Sequence, residues 1–170
     1  AVVDAFPQQF MDSHAALLAG KFGLDAMGPD DRTLVDDFFA VLHKDRLDFT
    51  LSFRWLTELA TCNVDHTPLP ELFEPSTALS AWAEQWRARI HGQSGDPGSR
   101  DDRMRALNPA VIPRNHLVAQ AIAEAELGQY QLLEQLGKRW QTPNRWSSDD
   151  LKFAAGPAPS EIIQRTFCGT

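Results

Sequence analysis

The sequence predicts an all-α fold, and three observations support that prediction. Apolar residues recur three and four positions apart along most of the chain, which places them on one face of a helix. Residues that favour helix starts and ends, Asp and Ser before these segments and Gly after them, stand at their boundaries. No segment alternates apolar and polar residues convincingly, as a half-buried strand would. We therefore expect helices throughout, followed by an irregular C-terminal tail.

Residues 1–91 are predicted to form a helical subregion. Its first helix, in the stretch PQQFMDSHAALLAGKFGL, ends at Gly23, since glycine readily adopts the left-handed conformation of a helix C-terminus. The second follows Pro29 and two acidic residues, and the third follows Asp48, a predicted N-cap. Ser76 is predicted to cap the fourth helix, whose apolar face carries Leu79, Trp82, Trp86 and Ile90.

The second half of the chain is predicted to contain a loop, a helical hairpin and a tail. Residues 92–103 are rich in Gly, Ser and Pro, so we expect a flexible loop there. Residues 104–139 are predicted to be a helical hairpin region, in which a short helix ends before Pro109 and Gly128 separates two further helices. Residues 140–170 are predicted to be an irregular tail that ends in a cysteine. All four segments are predicted to lie in one domain.

Composition excludes several classes of function. The 170 residues are 43% hydrophobic and 23% charged, as in a globular domain. The net charge of −7 argues against a nucleic-acid or membrane partner, because phosphate groups require a basic surface. No run approaches 18 consecutive apolar residues, so no membrane-spanning helix is predicted. The two cysteines form no disulfide framework, and a cytoplasmic location with reduced thiols is the expectation.

One short motif resembles a catalytic loop. His43, Lys44 and Asp45 follow the histidine-basic-aspartate order of protein kinases, in which an Asn five residues after the Asp binds metal. This chain has Thr50 at that position. The motif also lies at the end of an amphipathic segment, so a solvated helix terminus is the favoured interpretation.

A second motif, TCNVDH, offers Cys62, Asp65 and His66 as metal ligands. A structural zinc site requires four ligands, usually as two spaced pairs, and the sequence has no second pair. We therefore expect Cys62 to pack as a small apolar residue near a helix end.

The stretch NPAVIPRNH, residues 108–116, contains the strongest candidates for a structural role. Its two prolines set rigid turns, and Arg114 and Asn115 begin a helix from which they can hold a neighbouring loop by hydrogen bonds. Asn108 is grouped with them as a candidate clamp residue. No residue of the chain is predicted to be catalytic, cofactor-binding or metal-binding.

Four stretches together resemble the C-terminal region of the selenoprotein O family, the bacterial YdiU-type proteins. They are LVDDFFAVLHKDRLDFTLSFRWL, WAEQWRARI, MRALNPAVIPRNHLVAQAIAEAELGQY and RTFCGT. Their order and spacing match that family from about residue 6 to residue 170. The resemblance implies a protein-kinase-like fold, and members of the family were long taken for pseudokinases. This chain would be the helical, C-lobe-like part of that fold.

The resemblance also implies an activity. Family members bind ATP in a reversed orientation, with Mg²⁺ or Mn²⁺, and transfer AMP to Ser, Thr or Tyr hydroxyls of other proteins. The residues that carry this chemistry precede the part seen here. The expected partners are therefore the upstream kinase-like region and protein substrates, and Ala1 fits a cut into a longer chain. The 170 residues alone are expected to bind no cofactor and to be inactive.

The family resemblance gives Cys168 a candidate role. Members carry Cys or selenocysteine near the C-terminus, and bacterial members can pair it with a cysteine near the activation segment. Cys168 matches that position and is the redox candidate, with its partner upstream of this chain. The alternative is an unpaired tail cysteine with no role.

A second interpretation of the whole chain is an autonomous α-helical interaction or regulatory module without catalysis. The two interpretations predict different surfaces. A portion of a larger enzyme should expose apolar helix surface where the rest of the enzyme packs. An autonomous module should have a closed core and a polar surface.

Overall fold

The computed structural model describes residues 2–62, 64–146 and 151–162, and these residues are all-α, as predicted. No strand occurs among them, and none of their helices is long and apolar enough to cross a membrane. The chain divides into two compact units, residues 1–109 and 110–170, and the expectation of one domain stays a prediction. The helices are α1 Val2–Lys21, α2 Asp31–Asp45, α3 Phe49–Ala60, α4 Thr77–His91, α5 Pro97–Leu107, α6 Asn115–Glu126, α7 Gln131–Trp140 and α8 Leu151–Ala154.

A cluster of aromatic rings forms the core of the first unit. Phe22, which directly follows α1, lies 5.0 Å from Phe38 of α2 and 5.1 Å from Phe53 of α3, measured between ring centroids. Trp82 of α4 lies 4.9 Å from Phe38. Trp86 is fully buried, and its Nε1 donates to the carbonyl of Phe22 at 2.8 Å. Tilted and edge-on ring pairs of this kind add to the stabilisation that apolar burial provides.

Helix α1 ends at Lys21, and Gly23 provides the left-handed turn that the sequence predicts after it. Gly23 has a φ of +69°, and its N–H donates to the carbonyl of Gly20 while that of Leu24 donates to Ala19. This is the Schellman arrangement, which satisfies the last carbonyls of a helix. A Cβ on Gly23 would also lie 2.6 Å from the sulfur of Met104, so the close approach of α5 adds a second requirement for glycine.

Helices α3 and α4 begin at their predicted N-caps. The Asp48 carboxylate accepts from the Leu51 N–H at 2.8 Å, and the Ser76 hydroxyl accepts from the Leu79 N–H at 3.1 Å. In α3, all eight residues at positions 51–58 are buried. This helix therefore lies inside the first unit and has no solvent-facing side over that stretch.

The loop predicted for residues 92–103 is wrong from Pro97 onward, because α5 begins there. Asp96 caps the helix by accepting from the Ser99 N–H at 2.8 Å, and Pro97 occupies the first turn, where its missing N–H costs nothing. This hydrogen bond and that of the Ser99 hydroxyl lower the pKa of the Asp96 carboxyl. The connection that remains between α4 and α5 is residues 92–96. It is held in place by a hydrogen bond, because the Gln93 amide donates to the carbonyl of Gly23 at 2.9 Å.

The second unit contains the α6–α7 hairpin and the short helix α8. Gly128, with a φ of +78°, ends α6, and the N–H of Gln129 donates to the carbonyl of Glu124. Ala121 of α6 and Leu136 of α7 are buried. The region predicted to be an irregular tail includes α8 and a 3₁₀ turn at Pro159–Glu161.

Candidate functional site

A buried polar cluster connects three helices of the first unit, and Asn108 is at its centre. Asn108 follows α5 and is fully buried. Its Nδ2 donates to the carbonyl of Lys21 at 2.9 Å and to the hydroxyl of Thr57 at 3.0 Å. Its own carbonyl accepts from Arg54 Nη1 at 3.1 Å. Because the next residue is Pro109, Asn108 leaves helical geometry, and its side chain and its carbonyl bond to α1 and α3.

Lys21 donates a hydrogen bond to the end of α5, next to Asn108. Its Nζ donates to the carbonyl of Leu107 at 2.9 Å and lies 4.5 Å from the centre of the Phe53 ring. A cation is favoured at the C-terminal end of a helix, which here is α5. Burial lowers the pKa of the Lys21 ammonium. The ends of α1 and α5 are thus joined by two reciprocal hydrogen bonds, one through Lys21 and one through Asn108.

An ion pair within α3 completes the polar cluster. Arg54 and Glu58 approach to 2.6 Å, and their side chains are only 4% and 1% exposed. A buried charge is costly unless it is paired and hydrogen-bonded, and here each carries the other's countercharge. Asn108 was predicted from the sequence as a clamp residue, whereas Arg54 and Glu58 were not predicted. Their spacing of four, within a helix segment rich in apolar residues, is the signal that could have identified them.

The cluster is suited to holding helices together. Its donors and acceptors bond mainly to one another, from the end of α1 through the middle of α3 to the end of α5. Nothing in this geometry brings a nucleophile and a general base together. These hydrogen bonds join the ends of α1 and α5 to α3, and the clamp role of Asn108 stays a prediction.

In the second unit, Arg114 precedes α6 and is mostly buried. Its Nη2 donates to the carbonyl of Ala154, the last residue of α8, at 2.7 Å. Asn115, the third predicted clamp residue, is exposed at the start of α6. A surface groove beside it is also lined by His116 and Glu161. The structure therefore places Asn108 and Arg114 in buried contacts, in separate units, and Asn115 on the surface.

An ion pair connects α2 and α4. The Asp31 carboxylate accepts from Arg89 Nε at 2.7 Å and Nη2 at 2.9 Å, and from the Gly28 N–H at 2.7 Å. Burial alone would raise the pKa of the Asp31 carboxyl, but these hydrogen bonds and the Arg89 charge outweigh it, so that pKa is lowered. The hydrogen bond with Asp31 raises the pKa of the Arg89 guanidinium in turn. The pair fixes the start of α2.

The kinase-like motif lies at a helix end, as predicted. Helix α2 ends at Asp45, and Arg46 follows in the left-handed conformation with a φ of +53°. His43 and Lys44 are exposed there. The motif is a solvated helix terminus.

The prediction that Cys62 packs as an apolar residue is wrong. Its thiol is exposed, and its backbone has a φ of +53° just after α3. The turn after α3 leaves Cys62 at the surface, although a residue in this conformation can also be buried, as Gly23 after α1 is. Among the described residues, no three His, Cys, Asp or Glu side chains are grouped to hold a metal ion. Cys168 lies outside the described residues.

A surface feature of α1 is the second candidate site, this time for an interaction. Phe6, Phe10, Met11 and Leu17 are 64%, 57%, 55% and 47% exposed. The rings of Phe6 and Phe10 stack at 6.3 Å, and those of Phe10 and His14 at 6.0 Å. We call these four apolar side chains, Phe6, Phe10, Met11 and Leu17, the α1 face. Exposed apolar surface of this kind marks a place where another surface packs.

Comparisons with known proteins identify relatives of the chain. The family described as protein adenylyltransferase SelO matches residues 1–141. The protein nucleotidyltransferase YdiU of Rhodopseudomonas palustris strain BisB5 is 36% identical over 170 residues, which are 99% of this chain and 35% of that protein. The YdiU of Rhizobium meliloti strain 1021 is 39% identical over 151 residues, 88% of this chain and 31% of that protein. The chain spans about a third of the length of the curated relatives it matches.

Proposed function

The chain belongs to the SelO family of protein adenylyltransferases, and on that premise we propose that it is the C-terminal helical portion of such an enzyme. The family is one of protein nucleotidyltransferases. In the proposal, the whole protein moves AMP from ATP to Ser, Thr or Tyr hydroxyls of other proteins. The observation that carries it is the family match over residues 1–141, with relatives about three times as long as the chain.

The proposed division of labour places the chemistry upstream of this chain. A protein hydroxyl attacks the α-phosphorus of ATP and pyrophosphate leaves, with Mg²⁺ or Mn²⁺ and cationic side chains stabilising the charge. The residues that bind ATP and metal are proposed to lie in the upstream kinase-like region. This chain contributes a helical support, whose helix ends are held by the cluster around Asn108. The net charge of −7 supports protein rather than nucleic-acid partners.

The α1 face supports this proposal over an autonomous interaction module. A module that functions alone is expected to cover its large apolar side chains. Phe6 and Phe10 are instead more than half exposed. A portion of a larger enzyme accounts for that exposure, because the missing region provides the covering surface.

Cys168 retains its proposed redox role. In this proposal it forms a disulfide with an upstream cysteine by exchange with a small-molecule disulfide, which is reduced to two thiols as the protein disulfide forms. The bond would restrict a mobile loop near the catalytic cleft. Peptide mapping of the full-length protein under non-reducing conditions would detect a cross-linked peptide containing Cys168. Only unpaired Cys168 under oxidising conditions would contradict this part.

Intact-protein mass spectrometry tests the main proposal. The chain and a longer version that restores the upstream region are each incubated with ATP, Mg²⁺, Mn²⁺ and a generic acceptor protein. AMP adducts with the longer version alone are the expected result. Adducts with the 170 residues alone would show a self-contained site, and adducts with neither would contradict the assignment of AMP transfer.

A further inference from the structure

Residues 5–14, in the first half of α1, form a helical segment without a packing partner in the described chain. Every residue from Ala5 to His14 is exposed, over nearly three helical turns. The second half of the same helix is fixed, because Ala19 is buried and the Lys21 carbonyl accepts from Asn108. The exposed half therefore projects as a continuation of an anchored helix.

Such a segment is poorly suited to stand alone in water. Isolated helices of this length are marginal, because nucleation is costly and helical stability in proteins comes mostly from packing. Pro7 lies inside the helix, where it removes a backbone hydrogen bond and disfavours the preceding turn. The side chains that would stabilise the segment by burial, Phe6, Phe10 and Met11, are more than half exposed. The segment needs a covering surface to be a stable helix.

The composition of the segment indicates what kind of surface covers it. From Ala5 to His14 the sequence AFPQQFMDSH has one acidic residue and no Lys or Arg. Interfaces that are permanent are more apolar than transient ones, and their centres are depleted of charge. An enzyme releases its protein substrates, so a substrate is the less suitable occupant. A permanent neighbour within the same polypeptide fits this composition.

We propose that the α1 face is the surface on which the rest of the same polypeptide docks. This inference rests on the proposed function, since it requires the longer enzyme. The relatives supply enough chain: 35% of the Rhodopseudomonas protein is matched, which leaves 65% of it outside the matched region. In this arrangement the C-terminal end of α1 is held at Lys21 inside the first unit. Its N-terminal half packs, through Phe6 and Phe10, against the part of the polypeptide outside the 170 residues.

Site-specific photo-cross-linking in the full-length protein tests the inference. A photoreactive phenylalanine analogue replaces Phe10, and in separate samples Gln85, an exposed polar residue of α4, and the buried Phe22. The analogue at Phe10 is expected to capture peptides of the same polypeptide from outside the 170 residues. The Phe22 sample should give cross-links within the first unit, and the Gln85 sample supplies the background for an exposed polar position.

Three outcomes would overturn the inference. Capture of a second copy, identified by mixing isotope-labelled and unlabelled protein, would make the α1 face an oligomer interface. Capture only of added acceptor protein would make it a substrate surface. Background capture at Phe10 would leave the α1 face without such an occupant. Because the readout is contact, AMP transfer by the same samples separately reports on the proposed function.

Paired substitutions give an independent readout in the full-length protein. Phe10→Asp is expected to lower the thermal midpoint by roughly 2 °C or more, because it places a charge in a buried interface. Gln85→Asp, which places the same charge at an exposed polar position of α4, is the matched control and should shift the midpoint by less. Equal shifts for the two variants would contradict the docking role of the α1 face.

Discussion

Helix α3 and the first half of α1 are both rich in apolar residues, yet they have opposite environments. In α3 the eight residues 51–58 are all buried, including the charged pair Arg54 and Glu58. In α1 the ten residues 5–14 are all exposed, including Phe6 and Phe10. Apolar content therefore does not decide burial in this chain. The available neighbours decide it: α3 has neighbours within the first unit, and the first half of α1 requires them from elsewhere.

The largest expected effect comes from substituting one phenylalanine in each helix. Phe53→Ala should lower the free energy of unfolding of the 170-residue chain by roughly 3–5 kcal/mol, since Phe53 is 1% exposed in the aromatic core. Phe10→Ala should change it by less than about 0.5 kcal/mol. Denaturant unfolding of the two variants measures the difference. A comparable loss for both would show that the first half of α1 is already packed.

The clamp candidates Asn108 and Asn115 allow the same comparison of a buried with an exposed position for polar side chains. Asn108→Ala should lower the free energy of unfolding by roughly 2 kcal/mol, because the Lys21 carbonyl and the Thr57 hydroxyl lose a buried donor. Asn115→Ala, at an exposed position, should cost less than about 0.5 kcal/mol. The same unfolding experiment measures both. Tolerance of Asn108→Ala would contradict the clamp.

The ion pair between Asp31 and Arg89 gives a pH-dependent prediction. The folded state lowers the pKa of Asp31, so its contribution is present above the ordinary aspartate pKa and is lost as pH falls through the lower, folded-state value. Asp31→Asn should therefore cost roughly 1 kcal/mol at neutral pH, a modest figure because Arg89 is 37% exposed and screened by solvent.

Unfolding midpoints measured from pH 7 down to about pH 3 test the sign of this effect. The difference between Asp31→Asn and the unsubstituted chain should shrink as the solution becomes acidic. Asp37→Asn, at an exposed position of the same helix, is the matched control. A difference that stays constant over this range would show that the charge of Asp31 does not contribute.

The smallest expected effect concerns the backbone of the α6–α7 hairpin. A Cβ would meet no atom within 4 Å at either Gly128 or Gly137, so packing does not distinguish the two positions. Gly137 lies inside α7, and Gly137→Ala should stabilise the chain by roughly 0.5–1 kcal/mol. Gly128 has a φ of +78°, and Gly128→Ala should destabilise it by roughly 1 kcal/mol. Thermal unfolding would show opposite shifts, and shifts of the same sign would contradict the left-handed turn.

Local signals in the sequence predicted the features that depend on local chemistry. The caps at Asp48 and Ser76 and the left-handed glycine at Gly23 are found where they were expected, because each depends on hydrogen bonds within a few residues. The start of α5 was missed, since Pro97 and its neighbours were interpreted as loop residues. An Asp N-cap followed by Pro in the first turn is also a local signal, and it indicates the start of a helix.

Features that depend on distant neighbours were not predictable in this way. The burial of Arg54 depends on contact with Asn108, 54 positions later in the sequence. Cys62 lies in a left-handed turn after α3 and is exposed, which its apolar character does not indicate. The α1 face is apolar by composition, and only the arrangement of the first unit reveals that nothing in the described chain covers it.

Hydrogen exchange over residues 5–14 tests the central claim most directly. The measurement compares backbone amide protection in the 170-residue chain and in the full-length protein, with residues 51–58 of α3 as the internal reference. We predict rapid exchange of residues 5–14 in the chain alone and strong protection in the full-length protein, while α3 is protected in both. Equally rapid exchange of residues 5–14 in the two proteins would contradict the claim that the rest of the polypeptide covers the α1 face.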